Sequence, residues 1–154
     1  MNLTAQIAKQ LRDLHFGGNW TWSSMEEHLK DLTWKQATTH VHSLNTIATL
    51  VYHMNYYLNV VSQRIQGQLL DPKHELSFSH PPIKTQKDWE DMLTKTWRDA
   101  ENFAEHIEQM PEEMLWKSIS DKHGNYYRNI QGVIEHTHYH LGQIVLLKKI
   151  IAAK

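Results

Sequence analysis

Seven apolar residues, Leu44, Ile47, Val51, Met54, Leu58, Val61 and Ile65, follow one another at alternating intervals of three and four. That spacing holds one stripe on one side of an α-helix, whereas a strand changes face every second residue. Similar stripes recur at Leu3, Ile7, Leu11 and Leu14, along Trp89, Leu93, Thr96, Ala100, Phe103, Ile107 and Met110, and along Tyr127, Ile130, Ile134, Thr137, Leu141, Ile144, Leu147 and Ile151. No sustained period-two run flanked by hairpin turns competes with them. Four amphipathic helices with one seam each bury those seams most economically in a four-helix bundle, so the predicted fold class is all-α. A length of 154 residues suits one domain spanning 1–154.

The segment boundaries follow from capping chemistry. Helix one stops at His15-Phe16-Gly17-Gly18, and Ser24-Met25-Glu26-Glu27 matches a capping box that opens a short extra helix between helices one and two. Thr33-Trp34-Lys35-Gln36 repeats the pattern, which predicts a long second helix over 34–66. Gly67 to Lys84 contains Pro72, Pro81 and Pro82 without periodicity and reads as a connection long enough that helices two and three need not be antiparallel. Helix three begins after Thr85 with Asp88 as cap partner and ends at Pro111. A turn at Glu112 to Trp116 and a polar stretch from Ser118 to Asn125 lead into the last helix. Lys148, Lys149 and Lys154 suit the negative pole at its end.

Composition narrows the function. Sixteen Lys and Arg against 17 Asp and Glu leave a net charge of -1, which disfavours a dedicated nucleic-acid binder. Cysteine is absent, so disulfides, thiolate metal sites and a cysteine nucleophile are excluded, and any metal must sit on His, Asp or Glu. Lys9, Arg12 and Asp13 interrupt the apolar residues of Met1 to Leu14, which therefore reads as neither signal peptide nor spanning helix; a cytoplasmic protein without membrane attachment is expected. Twelve histidines, spread from His15 to His140, are the unusual component.

Two of them stand four apart in the last helix. His136 and His140 share one face within reach of one ion, while His138 points elsewhere. Their row, with Val133, Ile144 and Leu147, flanks the apolar seam. On the second helix His53 occupies the row Leu50, His53, Tyr57 and Val60, again beside the seam. Three imidazoles from two facing helices would form a facial triad with open positions. The other reading of the same positions is a set of interior histidines hydrogen-bonded to tyrosine or backbone.

Other metal templates fail on spelling. Thr137 removes the His-Glu-xx-His protease motif, and Glu135 to His138 is the only Glu-xx-His pair, against the two that a ferritin-like di-iron site needs. Neither a Gly-rich phosphate loop nor a Gly-x-Ser-x-Gly elbow is present. His15, His28, His40, His42, His74, His80, His106 and His123 read as ordinary solvated residues, and the six tryptophans as packing groups.

The chain resembles the DinB superfamily, the YfiT-like metal-dependent hydrolases, over nearly its whole length. The likeness rests on the Gly17-Gly18-Asn19-Trp20-Thr21 turn, the Trp34-Lys35-Gln36-Ala37 helix start, His53 in mid-helix and, most specifically, His136-xxx-His140-Leu141-Gly142-Gln143-Ile144. The resemblance implies a bundle with up-down-down-up connectivity. It also implies one divalent nickel, zinc or iron ion on His53, His136 and His140. Relatives of this kind include thiol transferases that use bacillithiol and a mycothiol-dependent isomerase, so it further implies an external low-molecular-weight thiol, a small-molecule substrate and a homodimer. The function expected is thiol-dependent transfer or hydrolysis, with Gln143 and Tyr57 behind the ligands; the alternative is a non-catalytic bundle with a structural metal or interaction role. A basic cluster for an acidic thiol is not recognisable, because Arg64, Arg98 and Arg128 are scattered along the chain.

Overall fold

The computed structural model describes residues 2–68 and 71–153. Four long helices carry the fold: α1 (Leu3–Phe16), α4 (Ile47–Ile65), α5 (Gln86–Gln109) and α6 (Tyr126–Ala152). Two short ones, α2 (Met25–Leu29) and α3 (Trp34–Ala37), lie between α1 and α4 where one was expected. Most capping signals are realised. Asn2 caps α1 and Gly17, at φ 110°, ends it; complete capping boxes form at Thr33 with Gln36 and at Thr85 with Asp88. At Ser24 only the serine half forms, its hydroxyl accepting from the Glu27 N–H.

Contacts between helices fix their directions. Arg12 bonds to Glu101 and Glu108 while the Leu3 N–H donates to Glu112, so α1 and α5 are antiparallel. Asn55 meets Asp99 and Gln66 meets His106, so α4 and α5 run parallel. His53 meets His136 and Arg64 meets Asn129, so α6 opposes α4. The order is up-down-down-up, and the long connection after α4 carries the chain back along the bundle. The seams close as one core, with Leu11, Leu14, Leu58, Trp89, Phe103 and Ile134 among its fully buried members. No helix among the described residues is long and apolar enough to cross a membrane.

Three expectations need correction. The helix predicted over 34–66 is broken: α3 ends at Ala37, an irregular segment follows, and Thr46 caps a new helix by accepting from the Thr49 N–H. Residues 38–45 are poor helix formers, with β-branched Thr38, Thr39 and Val41 and the cap-seeking Ser43 and Asn45. The Thr38 and Thr39 hydroxyls donate to the Trp34 and Lys35 carbonyls, satisfying the end of α3, and His42 adopts a φ of 49° that no helix continues. Leu44, the first residue of the seven-member stripe, is consequently exposed, and His40 and His42 sit in the irregular segment rather than in a helix.

The second correction is that the connection after α4 contains a 3-10 helix, His74–Phe78, which packs on α4. The third is that Ser118–Ser120 and Gly124–Asn125, expected as a polar stretch, pair as an antiparallel hairpin of strands β1 and β2, with Gly124 at φ 73° at the turn. Asn125 then caps α6 by accepting from the Arg128 N–H.

Candidate metal centre

Antiparallel packing of α4 on α6 sets His53 against His136 and His140. His53 is buried, at 3% exposure, and the other two are half-buried. The three Nε2 atoms converge: His136 Nε2 lies 3.0 Å from His53 Nε2 and 3.0 Å from His140 Nε2. One ligand nitrogen from each ring falls within 4.8 Å of the others, so the three can hold a metal ion. Two nitrogens each about 2.1 Å from a common ion stand roughly 3.0 to 3.4 Å apart for angles between octahedral and tetrahedral. The His136–His53 and His136–His140 spacings fall in that range, and imidazole donors suit zinc, iron and nickel.

The outer nitrogens are held by oxygen. His53 Nδ1 is 2.8 Å from Ser77 Oγ, and the serine hydroxyl donates to the His74 carbonyl at 2.6 Å. With its one proton spent, Ser77 can only accept from His53, which puts the His53 proton on Nδ1 and a lone pair on Nε2. His140 Nδ1 donates in the same way to Gln143 Oε1 at 2.7 Å. Hydrogen bonding of the far nitrogen fixes the tautomer a ligand needs. Without a cation the arrangement is poorly satisfied, because His136 Nε2 carries at most one proton and faces two lone pairs.

Burial keeps His53 and His136 neutral. Burial pushes the His53 imidazole down to about 4, helped by His136, His140 and His74. Burial, then His140, pushes His136 to about 4 as well. Both are therefore deprotonated at neutral pH, with lone pairs free for coordination.

The packing shell combines expected and unforeseen residues. Gln143 holds His140 as anticipated. Tyr57 packs edge-on against His53 and His136, at centroid distances of 5.2 and 5.4 Å, but its hydroxyl engages His74 Nδ1 rather than a ligand. Ser77 and Phe78, whose ring stacks on His53 at 4.3 Å, come from the 3-10 helix and carried no signal in the sequence. His74, expected to be merely solvated, links that helix to Tyr57.

His15 also departs from expectation: it is buried in α1, donating from Nδ1 to the Leu11 carbonyl, and burial pushes it to about 4. His28, His80 and His123 make local bonds to Ser23, Pro81 and Ser120. Of the tryptophans, Trp89 is fully buried, while Trp20, Trp22 and Trp116 are exposed. Compared with protein-family models, with curated proteins and with solved structures, the chain matches none.

Proposed function

We propose that this protein is a DinB-type metal-dependent enzyme in which His53, His136 and His140 hold one divalent ion and a small molecule undergoes thiol-dependent transfer or hydrolysis. One observation carries the reading: three Nε2 atoms converge while the far nitrogens of His53 and His140 are tied to Ser77 and Gln143. A divalent ion held there would supply Lewis acidity, making a thiol or a water more acidic at neutral pH.

The chain's own residues do the positioning. Ser77 and Gln143 orient the two rings they bond, and Phe78 and Tyr57 shield His53 from water. Because the chain has no cysteine, a reacting thiol comes from outside. A groove against His136 leaves that side of the cluster accessible, which favours an enzyme over a closed structural site.

Elemental analysis of untagged protein tests the reading. About one equivalent of nickel, zinc or iron is expected in the wild type and little in His53→Ala or His140→Ala. Full metal content in both variants would overturn it. Turnover of electrophiles with added small thiols that vanishes in His136→Ala then separates enzyme from binder.

A further inference from the structure

Between α4 and α6, next to His136, lies a groove of about 330 Å³. Tyr57, Val61 and Val133 give it an apolar floor, and His136 stands at one end. Arg128 and Asn129 stand at the other, two turns back along α6 and about 10 Å away along the axis. None of the lining residues is acidic.

Arg64 lies behind that far end. It is 7% exposed, and its guanidinium donates to Asn129 Oδ1 at 3.1 Å. Its Nε is buried without a partner, and no carboxylate pairs with it among the described residues. A buried cation lacking a counter-charge is costly to maintain, and a ligand anion would offset that cost. Exposed Arg128 adds a second permanent positive charge where a ligand can touch it. Of the arginines that looked scattered in the sequence, Arg128 lines the groove and Arg64 stands behind its far end, joined to it through Asn129.

Gly132 lines the same groove in mid-helix, where a Cβ would meet nothing within 4 Å. Backbone conformation does not require glycine there, and alanine would favour the helix. What glycine preserves at this position is open space.

We propose that the groove binds a small carboxylate with an apolar body, its carboxylate at the Arg64 and Arg128 end and its opposite end presented to His136. The planar guanidinium fork matches a carboxylate, and the floor accepts an aliphatic or aromatic segment about 10 Å long. This names a substrate class for the site described above. It rests on the metal reading for the reaction but not for the binding.

Calorimetric titration with 4-phenylbutanoate and its neutral amide, on the full chain with EDTA and again with metal, tests the proposal. The acid is expected to bind at least about tenfold more tightly than the amide, the scale of one charge-assisted hydrogen bond. Arg64→Met and Arg128→Gln should each remove about that factor for the acid and leave the amide unchanged. Gly132→Leu should abolish binding of both while its urea midpoint stays at or above that of the wild type. If Arg64→Met does not fold, Arg128→Gln and Gly132→Leu decide.

Equal affinity for acid and amide, or undiminished binding to Gly132→Leu, would overturn the proposal. Acid preference in a protein that binds no metal would leave the groove standing and remove the enzyme reading. Metal binding without acid preference would do the reverse.

Discussion

Helix α4 carries two buried polar clusters on different flanks, and they close their hydrogen bonds in opposite ways. Toward α5, Asp99 accepts from Asn55 Nδ2 at 2.9 Å, from Asn59 Nδ2 at 2.8 Å and from the Lys95 ammonium. Donors there meet a negative acceptor. Burial would raise the Asp99 carboxyl, but the bonds from Lys95, Asn59 and Asn55 outweigh it and hold the group below its ordinary value. Toward α6, His53 and His140 give their protons away to Ser77 and Gln143, and their lone pairs converge on His136. In the first cluster the Asp99 carboxylate is satisfied by donors of the chain itself, with Asn55 Oδ1 buried without a partner. The second turns its donors outward and its lone pairs inward on one point, an arrangement that a cation would complete.

The sharpest way to break this comparison is to remove one imidazole from the second cluster. His53→Ala should weaken metal binding by more than the roughly 100-fold that bounds loss of an outer hydrogen bond, read by competition with a chromogenic chelator. At a free metal concentration 100 times the dissociation constant, wild-type protein should gain about 2.7 kcal/mol, or roughly 5 to 10 °C in Tm. His53→Ala should gain almost nothing. An unchanged affinity in this variant would place the site elsewhere.

His15 shows that a buried histidine is not by itself a site. Its single bond to Leu11 closes locally, and its pKa of about 4 lies below the 6.5 of an unfolded histidine. Between those values the unfolded chain binds the proton and the folded chain does not, so stability rises with pH. The contribution is complete above pH 6.5 and is lost as the pH falls toward 4, for a total of about 3 kcal/mol. Urea melts of wild type and His15→Leu across this window should diverge by that amount; parallel curves would mean that His15 is hydrated.

Asp99→Ala tests the other side of the comparison. Removing the carboxylate strands the Asn55 and Asn59 amides and should cost about 2 to 3 kcal/mol in urea unfolding, with metal affinity unchanged. A variant that lost metal instead of stability would erase the distinction between the clusters.

The outlines of both clusters were legible to different degrees. Apolar rows and caps located α1, α5 and α6, and the rows beside the seams selected His53, His136 and His140, because one helix face is a property of spacing alone. The break at 38–46 escaped that logic. An apolar stripe does not weigh Thr38, Thr39 and Asn45, whose side chains compete with the helix, although Asn45-Thr46 ahead of Ile47 was a readable cap. Ser77 and Phe78 were illegible for another reason: a 3-10 turn in a proline-containing connection has no period, and only tertiary packing brings it to His53. Asp99, spaced between Thr96 and Phe103 on α5, has no motif of its own, and only packing on α4 brings it to the two asparagines.

The smallest predicted effect probes the oxygens behind the ligands. Gln143→Leu removes the acceptor at His140 Nδ1, so the ring is free to move its proton to Nε2 and turn a donor toward the other two imidazoles. Metal affinity should fall about tenfold, at the low end for an outer-shell bond. Gln143→Glu keeps an acceptor in place and makes it anionic, which favours the Nδ1–H tautomer and raises the basicity of Nε2, so affinity should hold or increase. Opposite signs from two substitutions of a half-buried side chain are difficult to produce through packing alone. If both weaken the metal equally, Gln143 fills space and does not orient His140; if neither has an effect, the three converging nitrogens are a core contact like that of His15.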